Sequence, residues 1–392
     1  MKIIIKFVFV VFILSSCSQH NENAKYIGFL EEQNLSAKEY VINAFENHDI
    51  VILCERDHKE FSQYELFLEI VKDTFFINNV GHIFTEVGVV NMDEAINRFL
   101  FSENDDSLTT RKRITSLYRE VDYSPYWHCY NYPWFLSQLF KLNQNLNCED
   151  KVMLHPVDTE FDWYKCETVQ CYLDFEENTE ARDSIMAENI IKKFEAIQSG
   201  PDPRNKALVI LNYKHAFLKD HEFLGEPRQN TGRYLAERYK ERVGSIYIMG
   251  LGLPKAGIPT VIKNGKWDYF FEETNKTNIG FDLEDSPFGK EIFDIIPFDS
   301  AQELVFADMF TGIVYYKPIH EHILKTGWED YSTEDFIPEL RRRVTIFDKA
   351  MNLEMKEQDI ENSVYGNNTV TTSQYSNVND LRKKIEIWKN GL

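Results

Sequence analysis

The chain has 392 residues, 43% of them hydrophobic, and a formal net charge of −20 at pH 7. This length is enough for one large α/β domain or two average domains with a sizeable core. The acidic balance repels phosphate backbones and anionic membrane surfaces, so nucleic acid is excluded as an expected partner.

The first sixteen residues have the pattern of a signal peptide. Two lysines stand at the start of an apolar run that is too short to span a bilayer as a stable helix. The residues from Leu14 to Cys17 resemble the lipobox of bacterial lipoproteins, which are cut before the cysteine and acylated on it. We therefore expect a signal peptide over 1–16, lipidation at Cys17, a tether over 17–35, and export to the cell envelope with membrane attachment through the lipid alone. An ordinary secretory signal and a cytosolic chain are the alternatives.

From residue 36 to residue 252, short apolar runs alternate with segments of helical spacing. The apolar runs predict strands at 50–54, 80–85, 151–157, 207–211 and 245–250. The helical spacing predicts helices at 37–47, 64–73, 92–101, 134–146, 181–198 and 232–241. This alternation predicts an α/β fold with a largely parallel central sheet and helices on both faces.

The rhythm weakens beyond about residue 264, where loops rich in Asp, Asn, Gly and Pro replace it. A short strand at 312–316 and a final helix at 380–389 are predicted there. We therefore predict an α/β core over 36–264 and an irregular C-terminal extension over 265–392 that packs on it.

Polar residues directly follow four of the predicted strands, and ligands of open α/β sheets collect at such strand ends. The candidates are Glu55 to Glu60 after the first strand, Glu86 after the second, Asp158 after the third, Asn212 with His215 after the fourth, and Arg182 with Asp183 at the start of the long helix. Each has a structural explanation on its own, as a surface charge or a helix cap. Their joint placement favours metal binding or general acid–base chemistry.

Five segments in this order resemble the erythromycin esterase-like superfamily. They are VILCERDHKEF, FTEVG, RDSIMAENI, LVILNYKHAF and TGRYLAERYKERVGSIYIMG, and the resemblance covers about residues 36–252. The ChaN-like haem-binding lipoproteins and the TraB and TIKI families resemble the same core more distantly.

The resemblance implies a catalytic cleft with a defined set of residues. The implied set is Glu55, His58, Glu86, Arg182, Asp183 and His215. His58 is implied to be the general base that activates water, and Glu86 to position that histidine or the water. Arg182 and His215 would stabilise the oxyanion of an opened ester or lactone, with Asp183 orienting the arginine.

The chain departs from the family pattern at four positions near this cleft. Cys54 stands where the family has glycine, and Asn212 stands where it has the first histidine of His-Asn-x-His. Tyr213 replaces the asparagine of that motif, and Lys214 adds a charge. One binding or catalytic group is therefore missing, which argues against macrolide lactones as the substrate.

Three functions remain open from the sequence. The first is a hydrolase of an ester, lactone or related carbonyl bond in a small molecule. The second is non-catalytic binding of haem or another small ligand. The third is a metal-dependent peptidase of the TIKI type, because carboxylates and histidines suit a divalent metal.

Three further features of the sequence have functional alternatives. Cys54 and His58 are close enough in sequence for a nucleophile–base pair. The aromatic segment from Tyr123 to Trp134 is dense enough to wall a ligand pocket. Cys166 and Cys171 can pair in an oxidising compartment.

Overall fold

The computed structural model describes residues 23–103, 106–127, 129–223, 226–253, 259–296 and 303–390. The predicted signal peptide, 1–16, and the predicted lipidation site, Cys17, lie outside these ranges, and so does His128. Within these ranges, no helix is both long and apolar enough to cross a membrane.

Seven strands of the described residues form the central sheet. They are β1 (Ile50–Glu55), β2 (His82–Val89), β3 (Met153–Asp158), β4 (Ala207–Asn212), β5 (Val243–Ile248), β6 (Asn278–Asp282) and β7 (Gly312–Tyr316). Their order across the sheet is β6-β7-β5-β1-β4-β2-β3, and every neighbouring pair is parallel except β6 with β7. The predicted α/β class with a largely parallel sheet is confirmed.

Helices cover both faces of this sheet. Those of eight residues or more after residue 36 are α1 (Ala37–Asn47), α2 (Ser62–Val71), α3 (Asp93–Phe101), α4 (Ser107–Tyr118), α5 (Asn131–Asn143), α6 (Val169–Asn178), α7 (Arg182–Gln198), α8 (Thr231–Tyr239), α9 (Lys266–Glu273), α10 (Ile337–Met351), α11 (Glu357–Tyr365) and α12 (Val378–Lys389). α1 begins with a capping box, in which Ser36 and Glu39 satisfy each other's backbone N–H groups.

Alternate side chains of the buried strands enter two separate apolar clusters. Val51 and Leu53 of β1 pack in a first cluster with residues of α1 to α5, α10 and α11. Ile50 and Ile52 pack in a second cluster with residues of α7, α8 and α9. Successive side chains of a strand point to opposite faces, so a strand covered on both faces needs an uninterrupted apolar run.

The ordered core includes segments on both sides of the predicted core boundaries. Residues 23–32, inside the predicted tether, are helical, and Tyr26 and Leu30 are buried in the second cluster. Strands β6 and β7, inside the predicted C-terminal extension, form one edge of the sheet. The rest of that extension is less regular, as predicted, and the division at 35 and 264 stays a prediction.

A C-terminal hairpin braces the loop that follows β1. It pairs Leu324–Thr326 with Thr371–Ser373 in antiparallel register. Its first strand and the residue before it make backbone hydrogen bonds to Lys59 and Phe61. These bonds hold the loop that carries His58.

Cys166 and Cys171 are joined by a disulfide, which is the pairing that the sequence allows. Cys171 lies in the first turn of α6, where its backbone N–H donates to the side chain of the N-cap, Thr168. The disulfide therefore ties the start of α6 to the loop before it.

Candidate active site

A cavity of about 490 Å³ lies at the carboxyl ends of β1 to β4. Its polar and aromatic walls include Arg56, Asp57, His58, Glu86, Asp122, Tyr123, Trp127, Asp158, Arg182, Asn212, Lys214, His215 and Tyr375. Parallel strands end at one edge of the sheet, so residues far apart in sequence meet there. Four of the six predicted site residues line the cavity, and Glu55 and Asp183 hydrogen-bond to the two histidines among them.

His58 forms an ion pair with Glu55, the last residue of β1. Glu55 is 1% exposed, and its Oε2 lies 2.5 Å from His58 Nδ1. Trp127 packs against the imidazole, with the ring centroids 4.4 Å apart. Burial lowers the pKa of His58, but the carboxylates of Glu55, Glu86 and Asp57, with Glu55 the strongest, together raise it more, to about 9. His58 is therefore mostly an imidazolium at pH 7.

Glu86 is the carboxylate on which the other side chains converge. It is 3% exposed, and its Oε1 is 3.1 Å from Arg182 Nη2. The same oxygen is 3.4 Å from His215 Nε2 and 4.0 Å from His58 Nε2. Burial raises the pKa of Glu86, but His215, Arg182, His58 and the hydrogen bond from the Asn212 backbone together lower it more, so the net shift is downward. Glu86 is therefore ionised at neutral pH.

The strand that carries Glu86 is irregular at this point. The register of β2 against β3 shifts between Thr85 and Val89. Gly88 has a φ of +117°, and a Cβ there would lie 2.6 Å from Pro156 Cβ. Only glycine meets both conditions, which explains the glycine of the FTEVG segment.

A second histidine–carboxylate pair approaches the same oxygen of Glu86. His215 Nδ1 lies 2.8 Å from Asp183 Oδ1. The backbone N–H and the hydroxyl of Thr231 each donate to that oxygen at 2.8 Å, which holds Asp183 in place. Burial lowers the pKa of His215, but Glu86 and Asp183 raise it more, so the net shift is upward.

Arg182 is oriented by Asp158, whereas the resemblance implied that role for Asp183. Its Nε donates to Asp158 Oδ1 at 2.9 Å, and its Nη2 donates to Asp158 Oδ2 at 2.7 Å. Its Nη1 lies 3.2 Å from His215 Nε2. Consecutive residues of a helix point in different directions, so Arg182 faces the end of β3 while Asp183 faces His215.

Asn212 fastens the end of β4 to its neighbours. Its backbone N–H donates to Glu86 Oε2 at 2.7 Å, and its side-chain Nδ2 donates to the Arg56 carbonyl at 2.6 Å. Its Oδ1 accepts the backbone N–H of Lys214 at 3.3 Å. Asn212 therefore positions the backbone and supplies no titratable group.

Cys54 faces the second apolar cluster, away from the cavity. Its thiol lies 3.5 Å from the Ser245 hydroxyl. Burial raises the pKa of this thiol to about 12. The thiolate needed for a nucleophile is therefore scarce at neutral pH, and the geometry gives the Cys54–His58 pair no support.

The loop between α4 and α5 supplies cavity residues that the strand-end rule missed. Tyr123 and Trp127 line the cavity, as expected for the aromatic segment, and Asp122 lies beside them. Trp163 Nε1 donates to the Asp122 carbonyl at 3.0 Å, which fixes the loop. Asp122 follows no strand, so the aromatic segment was its only sequence signal. Tyr375 enters from the C-terminal extension and had no sequence signal.

The side chains around Glu86 do not fit a divalent metal. Among the residues that the structure describes, no three or more His, Cys, Asp or Glu side chains are arranged to hold one. Oxygens of Glu86 and Asp158 instead accept hydrogen bonds from the Arg182 guanidinium. A dication bound by these carboxylates would face that guanidinium, so no step through a metal is derived.

No family model matches the chain, and no curated protein matches it. Among solved structures, it is similar to a protein from Bacillus cereus, at 11% identity over 76% of this chain and 99% of that one, with a TM-score of 0.46. It is also similar to a mutant of the erythromycin esterase EreC in an open conformation, at 15% identity over 72% of this chain and 94% of that one, with a TM-score of 0.43.

The haem-binding protein ChaN of Campylobacter jejuni is similar as well. The identity is 13% over 53% of this chain and 84% of ChaN, and the TM-score is 0.33. The structural neighbours thus include an esterase and a haem-binding protein. At these identities and TM-scores the similarity carries no argument about function, which has to rest on the side chains of the site.

Proposed function

We propose that the cavity hydrolyses an ester, a lactone or a related carbonyl bond of a small molecule, with His58 as the base that activates water. The observation that carries the proposal is the convergence of two histidine–carboxylate pairs on Glu86. Each pair holds its imidazole through Nδ1. Nε2 of His215 faces Arg182, and Nε2 of His58 is left for chemistry. Such pairs suit proton transfer, because the carboxylate stabilises the imidazolium that forms.

Water activation is supported by the space between His58 and Glu86. The 4.0 Å between His58 Nε2 and Glu86 Oε1 is too long for a direct hydrogen bond. One water molecule bridges two polar atoms at such a separation. In the neutral form of His58, Nε2 accepts a proton from this water, while Glu86 accepts its other hydrogen and orients it. Glu55 then stabilises the imidazolium at Nδ1.

Arg182, with His215 beside its Nη1, would stabilise the developing oxyanion. The guanidinium has five N–H groups, and Asp158 and Glu86 take those of Nε and Nη2. Nη1 keeps an N–H beyond the one that faces His215 Nε2. A fixed cation of this kind lowers the energy of a carbonyl oxygen as it becomes negative, and more so in a cavity that excludes water.

The cavity suits a small-molecule substrate. Its volume of about 490 Å³ lies in the usual range for small-ligand pockets. Aromatic walls at Tyr123 and Trp127 offer apolar contact area beside the charged groups.

The test is hydrolysis of a panel of esters and lactones by the purified protein, with and without a chelator. The variants are His58→Asn, Glu86→Gln and the control His48→Ala. His48 precedes β1, at the amino ends of the strands and therefore opposite the cavity. We expect turnover by the wild type and the control, and a loss of about 100-fold or more in His58→Asn.

Two outcomes would contradict the proposal. Turnover by His58→Asn equal to that of the wild type would remove His58 as the base. A wild type that turns over no member of the panel but binds haem or another small ligand tightly would favour a binding protein.

We also propose that the protein is exported and anchored to the cell envelope through lipid on Cys17. The lysines, the apolar run and the lipobox-like residues before Cys17 support this. Cells fed a labelled fatty acid should label the wild type but not Cys17→Ser. Equal labelling of both proteins, or of neither, would contradict lipidation at this residue.

A further inference from the structure

We propose that Asp122 is a second catalytic residue of this cavity, which donates a proton to the oxygen that leaves when the carbonyl bond breaks. This inference rests on the proposed hydrolase function and adds the acid that matches the base. Asp122 lies on the loop between α4 and α5, outside every motif of the resemblance.

The backbone around Asp122 is fixed, so its carboxyl has a defined place in the cavity. The carbonyl of Val121 accepts the backbone N–H of Val89, at the end of β2, at 2.9 Å. The carbonyl of Asp122 accepts Trp163 Nε1 at 3.0 Å. The same loop carries Trp127, which packs against the imidazole of His58. One short segment thus presents both an acid and a contact to the base.

Asp122 differs from the buried carboxylates around it in having no cationic partner. Glu86 and Asp158 bind Arg182, and Glu55 and Asp183 each bind a histidine. Within the described ranges, the carboxyl of Asp122 has one hydrogen bond, from the backbone N–H of Ser124 at 2.6 Å, and no ion pair. A half-buried carboxyl without a cation is more stable when it keeps its proton.

The charges that face Asp122 come from three elements. They are Asp158 of β3, Arg182 of α7 and His58 of the loop after β1. Burial raises the pKa of Asp122 to about 7, with Asp158 adding to the rise and the Ser124 hydrogen bond and the two cations opposing it. A large share of Asp122 therefore carries a proton at neutral pH, unlike Glu86.

Proton transfer by His58 and Asp122 accounts for every proton that moves in the reaction. The water oxygen bonds to the carbonyl carbon as His58 Nε2 takes one of the water protons. The bond from that carbon to the leaving oxygen then breaks, and the proton of Asp122 moves to that oxygen. The products are a carboxylic acid and an alcohol. His58 returns its proton to solvent, and Asp122 takes one up.

The test compares two esters of one acid, a nitrophenyl ester and an alkyl ester. Nitrophenolate leaves readily without a proton, whereas an alkoxide does not. Asp122→Asn keeps the oxygen that accepts the Ser124 N–H, and we expect it to lower kcat/KM on the alkyl ester by about 100-fold. Its kcat/KM on the nitrophenyl ester should stay close to the wild-type value. Glu120→Gln, on the same loop but paired with Arg343, is the matched control and should leave both values unchanged.

Wild-type pH profiles test the proposal without any variant. On the alkyl ester, kcat/KM should stop rising at about pH 7, where Asp122 loses its proton. On the nitrophenyl ester it should keep rising to about pH 9, where His58 becomes neutral. Superimposable profiles for the two esters would overturn the role of Asp122.

An equal loss on both esters in Asp122→Asn would also overturn this role and leave the hydrolase proposal standing. Turnover of neither ester by the wild type would overturn the proposed function, and this inference with it.

Discussion

Replacing Glu55 by glutamine should lower the pKa of His58 by about two units. The change removes the charge that lies 2.5 Å from His58 Nδ1 and keeps the size of the side chain. His58 has a pKa of about 9, against an ordinary value of about 6.5. Burial opposes this rise, and Glu55 is the strongest of the groups that cause it. Without that charge, we expect a pKa of about 7 or below.

This shift has a defined size and a kinetic consequence. Two pKa units correspond to about 3 kcal/mol of lost preference for the imidazolium. The neutral fraction of His58 at pH 7 should rise from about 1% to about half. The ascending limb of kcat/KM on a nitrophenyl ester should therefore move from about pH 9 to about pH 7. The maximum rate should fall, because no carboxylate stabilises the imidazolium that forms during the reaction.

The direct assay is an NMR titration of the protein with isotope-labelled histidine, in which His58→Asn identifies the signal of His58. Glu94→Gln is the matched control, since Glu94 is an exposed residue of α3. A wild-type His58 that titrates near its ordinary pKa would refute the reasoning. An elevated pKa that Glu55→Gln leaves unchanged would refute it as well.

Three further predictions follow from the same contacts. Because the pKa of His58 is raised in the folded protein, its protonation should stabilise the fold fully below about pH 6.5. This stability, up to about 3 kcal/mol in urea unfolding, should be lost as the pH rises through about 9. If His58→Asn does not flatten the plot of unfolding free energy against pH, the prediction is contradicted. Arg182→Met should destabilise the protein by about 3 kcal/mol in the same assay, because it leaves Asp158 without its cation. Adding Asp158→Asn should recover part of this loss. If the losses of the two variants are strictly additive, the ion pair between Arg182 and Asp158 does not contribute as described. Asp183→Asn should lower the pKa of His215, seen in the histidine NMR titration, and an unchanged titration would show that Asp183 does not hold this ring.

The strands that pair with a neighbour on both sides are the part of the fold that the sequence predicts best. β1 and β7 are apolar runs buried on both faces, and the run at 312–316 predicts the ends of β7 as observed. β6 is not predicted by this pattern, because it is an edge strand with a short apolar centre between exposed polar ends. α10 is not predicted from hydropathy for another reason. Its buried face includes Arg343, whose charge is offset by ion pairs that no hydropathy pattern reveals.

Some residues of the candidate site can also be predicted from the sequence, and others cannot. Glu55, Glu86 and His215 are predictable as neighbours, because they lie at or just after the end of the apolar run that predicts each parallel strand; Glu86 itself lies where the regular pairing of β2 stops. The partner of Asp183 depends on the rotation of α7 about its axis, which sequence spacing alone does not determine. Asp122 reaches the cavity only through the packing of its loop, so nothing local in the sequence marks it as a site residue.

The hairpin that braces the His58 loop is made long after His58 as the chain is synthesised, so the site can be completed only late in synthesis. Residues near 325 must bond to residues near 60 before the loop takes its final form. Contacts so distant in sequence form slowly, because a long loop has to close first. A growing chain would carry His58 on an unfinished loop until its last quarter had been made. A chain ended before residue 320 would keep every predicted site side chain and still lack an organised site.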